Sequence, residues 1–344
     1  MFSSIIKHNQ LLDSLYKQLN ADLETARTSN DLYVLVEKAN AFGKPIKYNN
    51  QLVIAIITLV LISGILLFIF GQNLGWFKLL LIMHIAILAF ALSRLSKHNQ
   101  TFRQLSKRIC LRKALYDNQL VEVEFEPYQM TRDLQQRFVD FNRGNDTQEL
   151  QKLYKGTYQG VEHQFDYYYY RFHYVERREE SSKDSNGRTV SETKYTHYYR
   201  YGVFLDFPYV ADLALGKPGL FFKRGIYRPA SNQFNHLYGV YGHSELAAAK
   251  FLKPAIVKAF EAIHPLFSDI FFQFNPQHEL CVSFSDNNTL NHTLKHSLEQ
   301  PERFITELKQ PITLPRLNIV LEHIECLMKY SDNNFSVINE EDKE

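Results

Sequence analysis

The sequence predicts an α+β protein with N-terminal helices, a two-helix transmembrane hairpin, and a cytoplasmic domain in which helices pack on an antiparallel sheet. Three observations favour this class. Two apolar blocks lie between residues 52 and 93, two tyrosine-rich segments of strand composition lie between residues 165 and 207, and apolar residues recur at helical spacing on either side. The expected divisions are residues 1–50, 51–95 and 96–330, followed by an acidic tail over 331–344.

Residues 1–50 are expected to form two helices. Apolar side chains recur every three or four residues from Leu12 to Leu23, a break falls at 28–30, and a second stretch carries Leu32 to Val36. The stripe could pair with another chain, but packing on this protein's own cytoplasmic part is the favoured interpretation.

The apolar blocks predict two membrane spans. The first, Leu52–Phe70, contains no charged residue and is long enough to cross a hydrocarbon core of roughly 30 Å. The second, Trp76–Ser93, has Lys78 near one end, where a long side chain can reach the headgroups. Residues 71–75 between them predict a tight antiparallel connection, with Trp76 at an interface.

His84 lies near the middle of the second block, where an ionisable group is costly and often functional. A proton relay would need a second ionisable group inside the spans, and the blocks offer none there. A neutral imidazole that bonds across the hairpin is therefore expected.

Basic residues predict the orientation of the spans. Lys38, Lys44 and Lys47 precede the first block, and by the positive-inside rule both termini then face the cytoplasm. The basic residues that follow the second block, with no acid among them, are expected to fix this topology first and to bind anionic lipid headgroups second. They are Arg94, Lys97, Arg103, Lys107, Arg108, Arg112 and Lys113.

Cysteine usage and the position of the first block agree with this orientation. The three cysteines are far apart in the sequence and predict no disulfide framework, which suits a reducing compartment. The first apolar block begins too late for a cleavable signal peptide.

The charge is unevenly distributed. The 344-residue chain has 39 Lys and Arg and 37 Asp and Glu, but residues 116–344 hold 25 and 32 of them, a net charge of −7. A nucleic-acid-binding surface needs clustered positive charge, so this class of partner is disfavoured.

The tyrosine-rich segments, Phe165–Val175 and Tyr195–Phe207, predict a long hairpin with a polar, exposed tip whose turn is expected at 185–187. Alternation places Tyr167, Tyr169 and Arg171 on one face of the first strand. The rings could form cross-strand ladders or a stacking platform for bases or sugars, and the acidity of the domain favours the ladders. The candidate interaction surface consists of Tyr168, Tyr170, Tyr174, Tyr195 and Tyr199.

Shorter patterns predict the remaining elements. Strands are expected at 121–125, from 156, at 219–223, 236–241, 270–274 and 279–284. Helices are expected over 131–141, from Ser244 with a kink or restart at Pro254, and along the apolar stripe from Leu317 to Met328.

The sequence contains no strong catalytic or metal-binding motif. His236, His243 and Glu245 are close in sequence, but their spacing matches no familiar ligand set, so capping and surface roles are favoured. Phosphate-binding glycine loops and nucleophile motifs are also lacking. We therefore expect no cofactor and no metal, and an enzyme is the less favoured class.

Three segments carry a resemblance to a known family. They are Gly156–Val161, Tyr201–Phe204 and Phe234–Phe284, the last with Val240-Tyr241, Glu245, Leu252 and Pro254 at motif positions. With these segments the chain resembles an uncharacterised bacterial two-span membrane-protein family of the domain-of-unknown-function 3137 type. The resemblance implies a bacterial inner-membrane location, a cytoplasmic domain and no known activity or catalytic residue. Related proteins are often encoded beside LemA-type membrane proteins, which implies a membrane-protein partner.

The favoured function is that of a membrane-anchored binding or scaffold protein that presents an interaction surface at the inner leaflet. The alternative is a membrane-tethered enzyme whose site forms only in three dimensions, which a deep pocket joining His236 or His243 to several acids would favour. A third hypothesis has the spans form a homo-oligomer through small residues such as Ser63 and Gly64.

Overall fold

A computed structural model of the chain describes residues 2–70, 75–183, 189–219, 225–292 and 294–331. The chain divides into two compact units. Residues 1–117 and 292–313 form the first, which we call the anchor unit, and residues 118–291 and 314–344 form the second, which we call the sheet unit.

The described residues form helices in both units and strands in the sheet unit, and the α+β class is confirmed. The α-helices are α1 (Phe2–Thr25), α2 (Ser29–Asn40), α3 (Gln51–Phe70), α4 (Phe77–Asp117), α5 (Pro127–Arg137), α6 (Asn232–Leu237), α7 (Glu245–Phe251), α8 (Pro254–Ile263), α9 (Pro301–Leu308) and α10 (Pro315–Ser331). The strands are β1 (Val121–Glu122), β2 (Gln148–Gln159), β3 (Gln164–Lys183), β4 (Thr189–Asp206), β5 (Leu213–Gly216), β6 (Gly239–Gly242), β7 (Phe271–Phe274) and β8 (Glu279–Phe284).

Helices α3 and α4 are long and apolar enough to cross a membrane, and only 6% of the apolar window of each is buried inside the protein. Their apolar side chains thus face outward, as lipid contact requires. Helix α4 continues without interruption past the expected end of the span at Ser93 and reaches Asp117. The predicted connection at 71–75 lies outside the described residues except for Gly75.

His84 bonds across the α3–α4 pair, as expected. Its Nε2 lies 3.1 Å from the hydroxyl oxygen of Ser63 on α3, and its Nδ1 lies 2.8 Å from the carbonyl oxygen of Leu80. A Cβ atom at Gly64 would lie 3.7 Å from the His84 ring, an ordinary van der Waals distance, so this approach does not depend on glycine.

Helices α1 and α2 bury their apolar stripes inside the anchor unit. Leu12, Leu19 and Leu32 are fully buried, so the stripe packs on this chain as favoured. The expected break precedes α2, where the Thr28 hydroxyl accepts a hydrogen bond from the Asp31 N–H and the Asp31 carboxylate accepts one from the Thr28 N–H.

The anchor unit also takes in residues 292–313, a division that differs from the expected single domain over 96–330. The N–H of Leu298 donates to the Ser106 hydroxyl on α4 at 2.9 Å, and the N–H of Ile312 donates to the Asp117 carboxylate at 2.8 Å. This return of the chain depends on contacts nearly two hundred residues apart, which local patterns do not reveal.

The sheet unit is built on one eight-stranded antiparallel sheet with the strand order β1-β2-β3-β4-β8-β7-β5-β6. On one face, Leu134 of α5 and the following Phe138 and Phe141 pack on Tyr170 and Phe204. On the opposite face, aromatic rings of β7 and α8 meet helix α10, with the Phe272 and Phe260 rings 5.4 and 5.3 Å from His323.

Several predicted boundaries differ from the observed ones. Helix α5 begins at Pro127 because the Glu126 side chain caps it, and β1 covers only the first two residues of 121–125. Residues 156–159 end β2 rather than beginning a strand, and α6 precedes the short strand β6 within 236–241. The strand expected at 219–223, the turn at 185–187 and the tail beyond 331 lie outside the described residues, apart from Gly219.

Other predictions hold. Ser244 caps α7, and α8 begins at Pro254 as a separate helix with the expected buried stripe. Strands β7 and β8 form the hairpin around 275–277, and the six stripe residues of α10 are buried.

A buried ion-pair network joins β4 to the turn after α5. The Arg200 guanidinium is fully buried; it donates to Asp140 and Asp269 at 2.9 Å each and to the hydroxyl groups of Ser283 and Ser285. Arg143 donates to the same Asp140 carboxylate at 2.6 Å. Burial alone would raise the pKa of Asp140, but the two guanidinium groups outweigh it and hold that pKa below its ordinary value.

Candidate functional site

The predicted long hairpin is formed by β3 and β4, and its outer part extends beyond the sheet. Strand β2 pairs with β3 only as far as Tyr174, and β8 pairs with β4 only from Tyr201 onward. Residues 175–183 and 189–200 therefore form a two-stranded segment flanked by no other described strand, which we call the ribbon. At the strand rise, 175–183 alone spans roughly 30 Å.

The five tyrosines proposed from the sequence do not lie on one surface. Tyr168, Tyr170 and Tyr174 share the face that α5 covers; Tyr170 is completely buried, and the Tyr168 ring stacks on Phe204 at 5.1 Å. Tyr195 and Tyr199 project from the opposite face and are 55% and 36% exposed. The first three are thus core residues, since strand alternation directs them beneath α5.

The exposed tyrosines belong to a row of planar side chains that we call the ribbon surface: Arg171 and His173 of β3 with Tyr195, His197 and Tyr199 of β4. The Arg171 guanidinium lies 4.7 Å from the Tyr199 ring centroid, and the His173 ring lies 4.9 Å from the same ring. The rings of His173 and His197 are almost parallel, and Nε2 of the first lies 3.0 Å from Nδ1 of the second.

Sequence reasoning missed Arg171, His173 and His197 as members of this surface. The signal was present, because Tyr199 is the cross-strand partner of His173 and Tyr201 that of Arg171. A hairpin register anchored on those pairs places all five side chains on one face.

The two histidine rings form a planar, hydrogen-bonded pair. Burial lowers the pKa of His173, and the adjacent His197 lowers it further. Guanidinium, imidazole and phenol groups in this arrangement can stack on and hydrogen-bond to a partner.

Beyond this surface, six charged residues of the ribbon form three ion pairs. Arg177 donates to Glu179 at 3.1 Å and Arg178 to Glu176 at 2.7 Å, while Lys194 pairs with Glu180 across the strands. Exposed pairs of this kind contribute little to stability, because solvent screens their attraction. The ribbon is therefore weakly held by its own contacts, and its outer strand edges are available for strand addition beyond Arg177.

His236, His243 and Glu245 are not brought together into one site in the described part of the chain. His243 is 89% exposed and bonds there to Asp212, beside a shallow cleft of about 180 Å³ that His236 does not line. Glu245 lies in the first turn of α7, as its charge favours. Within the described ranges, no three His, Cys, Asp or Glu residues are grouped as a metal site would require.

The seven basic residues of α4 lie at very different distances from the apolar segment. Arg103, Arg108, Arg112 and Lys113 pair with acids of the anchor unit, and Lys113 is buried. At the helical rise Lys113 is about 28 Å beyond Arg94, whereas a headgroup layer is roughly 5–8 Å thick. Of the seven, Arg94 and Lys97 are thus the residues that can reach headgroups directly.

Comparison of the chain with protein-family models, curated proteins and solved structures found no match. The chemistry of the ribbon surface and of the anchor unit is therefore the basis for assigning a function.

Proposed function

We propose that this protein is a membrane-anchored binding protein, in which α3 and α4 span a bacterial inner membrane and the sheet unit binds a protein partner at the cytoplasmic leaflet. The partner engages the ribbon surface. The same proposal includes membership of the two-span family of the domain-of-unknown-function 3137 type. It also includes a LemA-type or other membrane protein as the partner.

One observation carries the proposal: tyrosines are exposed where the ribbon leaves the sheet, although most rings of the same strands are buried. Arg171 stacks on Tyr199, and Tyr195 lies four residues further out along the same face of β4. Tyrosine and arginine are enriched at the centres of protein interfaces, because they combine apolar area with hydrogen-bonding ends. Unpaired ribbon edges next to them add backbone groups for a strand of the partner.

Charge supports the orientation in this proposal. Lysines precede α3 and basic residues follow Ser93, whereas residues 116–344 are acidic. This asymmetry favours cytoplasmic termini and a cytoplasmic sheet unit. An enzyme is not favoured, because the cleft at His243 is shallow and brings that residue to a single acid, Asp212.

Site-specific photo-crosslinking of the full chain in native membranes tests the proposal. A photoreactive residue replaces Tyr195, and a matched chain carries it at Val161, which is 96% exposed in the turn between β2 and β3. We expect a defined protein adduct from position 195 that is absent from position 161. Adding Tyr199→Ser to the first chain should weaken that adduct several-fold.

Identical adducts from both positions, or none from position 195, would contradict a partner at the ribbon surface. Mass spectrometry of the adduct distinguishes another copy of this chain from a different membrane protein.

A further inference from the structure

A polar cleft of about 720 Å³ lies within the anchor unit, where α4 leaves its apolar segment. Helix α1 contributes Lys17, and α4 contributes Arg94 and Lys97 together with the hydroxyl groups of Ser93 and Ser96. Guanidinium, ammonium and hydroxyl donors thus converge on one open space.

The cations of this cleft are not neutralised by the protein. Lys17, Arg94 and Lys97 are exposed and form no ion pair with any residue that the structure describes. Asp13 is the acid among the lining residues, and its carboxylate accepts a hydrogen bond from the Tyr48 hydroxyl at 2.8 Å. Three positive charges therefore face one carboxylate that is already engaged.

The floor of the cleft is rigid. The buried Tyr48 ring stacks on His98 at 4.3 Å, and His98 Nδ1 lies 2.8 Å from the Asn50 side-chain oxygen. Burial lowers the pKa of His98, and the positive charge of Arg94 lowers it further. The imidazole thus stays neutral near pH 7 and leaves the positive potential to Lys17, Arg94 and Lys97.

The basic residues that α4 contributes to the cleft lie at the depth of the headgroup layer. Lys97 is four positions after Ser93, the end of the expected span, and is therefore about 6 Å further along the helix. A headgroup layer of roughly 5–8 Å covers the same interval. Lipid phosphate groups lie at this depth, and basic pockets beside membrane helices bind them.

The geometry points to a binding site in this cleft for the phosphate group of an anionic phospholipid from the leaflet where α4 emerges. The planar Arg94 fork suits two phosphate oxygens, the two lysines neutralise charge, and the serine hydroxyl groups donate hydrogen bonds. This inference rests on the membrane spans of the proposed function, but it is independent of the ribbon surface.

Native mass spectrometry of the full chain released from nanodiscs tests the site. Nanodiscs of phosphatidylcholine with a minority of phosphatidylglycerol supply the lipid. We expect wild type to retain phosphatidylglycerol selectively and Arg94→Gln/Lys97→Gln to retain it about thirty-fold less, since each basic residue at the surface is worth about a fivefold change in affinity. The control, Lys107→Gln/Arg303→Gln, removes the same charge from exposed positions outside the cleft and should retain it like wild type.

Asp13→Asn provides an independent readout, because removing the carboxylate should increase retention several-fold while the membrane spans are untouched. Equal loss in the cleft variant and the control would overturn the site in favour of diffuse attraction to the surface. Unchanged retention in both would overturn it as well.

A second arm separates the sources of phosphate. Inorganic phosphate is titrated calorimetrically into nanodiscs of phosphatidylcholine alone. Wild type could give binding heat that Arg94→Gln/Lys97→Gln lacks, while neither protein retains phosphatidylglycerol selectively. That result would assign the site to phosphate from solution and overturn the lipid as its source. Lipid retention without such heat supports the lipid. If Arg94→Gln/Lys97→Gln loses phosphatidylglycerol but still gives the protein adduct from position 195, the lipid site and the ribbon surface act separately.

Discussion

Replacing Asp140 with alanine is expected to destabilise the sheet unit strongly, because it leaves the buried Arg200 guanidinium without its main counter-ion. Arg200 is 1% exposed, and Asp140 accepts hydrogen bonds from both Arg200 and Arg143. Removing one partner of a buried ion pair costs about 3–5 kcal/mol. Asp269, 2.9 Å from Arg200, retains part of the compensation, so we expect a cost near the lower end of that interval.

The assay is thermal unfolding of the full chain in mild detergent, followed by the near-ultraviolet circular dichroism of its tyrosines. For a unit of this size each kcal/mol lowers Tm by about 2–4 °C, so Asp140→Ala should lower it by about 6–12 °C. Lys194→Ala, which removes one partner of an exposed pair on the ribbon, should lower it by less than about 2 °C.

The same network predicts the pH dependence of stability. Because the folded pKa of Asp140 is held below its ordinary value, its contribution is present at neutral pH and is lost as the pH falls through that folded value. Wild type should therefore lose more Tm than Asp140→Ala between pH 6 and strongly acidic pH. This reasoning would be refuted if Asp140→Ala had the same Tm as Lys194→Ala. It would also be refuted if the Tm of Asp140→Ala and that of wild type fell in parallel with pH.

Three further substitutions test other contacts by the same unfolding assay. Glu325→Ala on α10 removes the acceptor of the Tyr158 hydroxyl and of the Glu162 N–H, and should cost about 1–3 kcal/mol, whereas exposed Glu322→Ala should cost little. Gly202→Ala would place a Cβ atom 2.1 Å from the Val282 carbonyl oxygen and should cost about 3 kcal/mol by separating β4 from β8; a neutral result would contradict the close strand packing. Thr28→Ala should cost about 1 kcal/mol by removing the cap of α2, and the loss should be seen in helical far-ultraviolet signal; no change would argue against the capping box.

Local patterns were sufficient for the elements that dominate the chain. Helix α3 follows from an uninterrupted apolar block, and β3–β4 follows from two aromatic segments separated by a polar one. Both predictions use only the spacing and the hydrophobicity of residues that are close to one another in the sequence. The stripes of α8 and α10 were predictable for the same reason.

Long-range partners were not predictable. Arg200 and Asp140 are sixty residues apart, and nothing local indicates that an arginine in an aromatic strand is buried. Tyr170 and Tyr199 have the same residue type and similar neighbours, yet α5 covers only the face of the first. Which face of a sheet receives a helix is decided by tertiary packing, so local patterns did not indicate which of these tyrosines are exposed.

Protease accessibility in sealed membrane vesicles tests most directly the proposal that α3 and α4 hold the sheet unit at the cytoplasmic leaflet. Trypsin has exposed cleavage sites at Arg177 and Arg178 on the ribbon. In inverted vesicles the account predicts rapid cleavage there, and in right-side-out vesicles an intact chain. Cleavage of the ribbon in right-side-out vesicles, or release of the intact chain from the membrane by high salt alone, would contradict it.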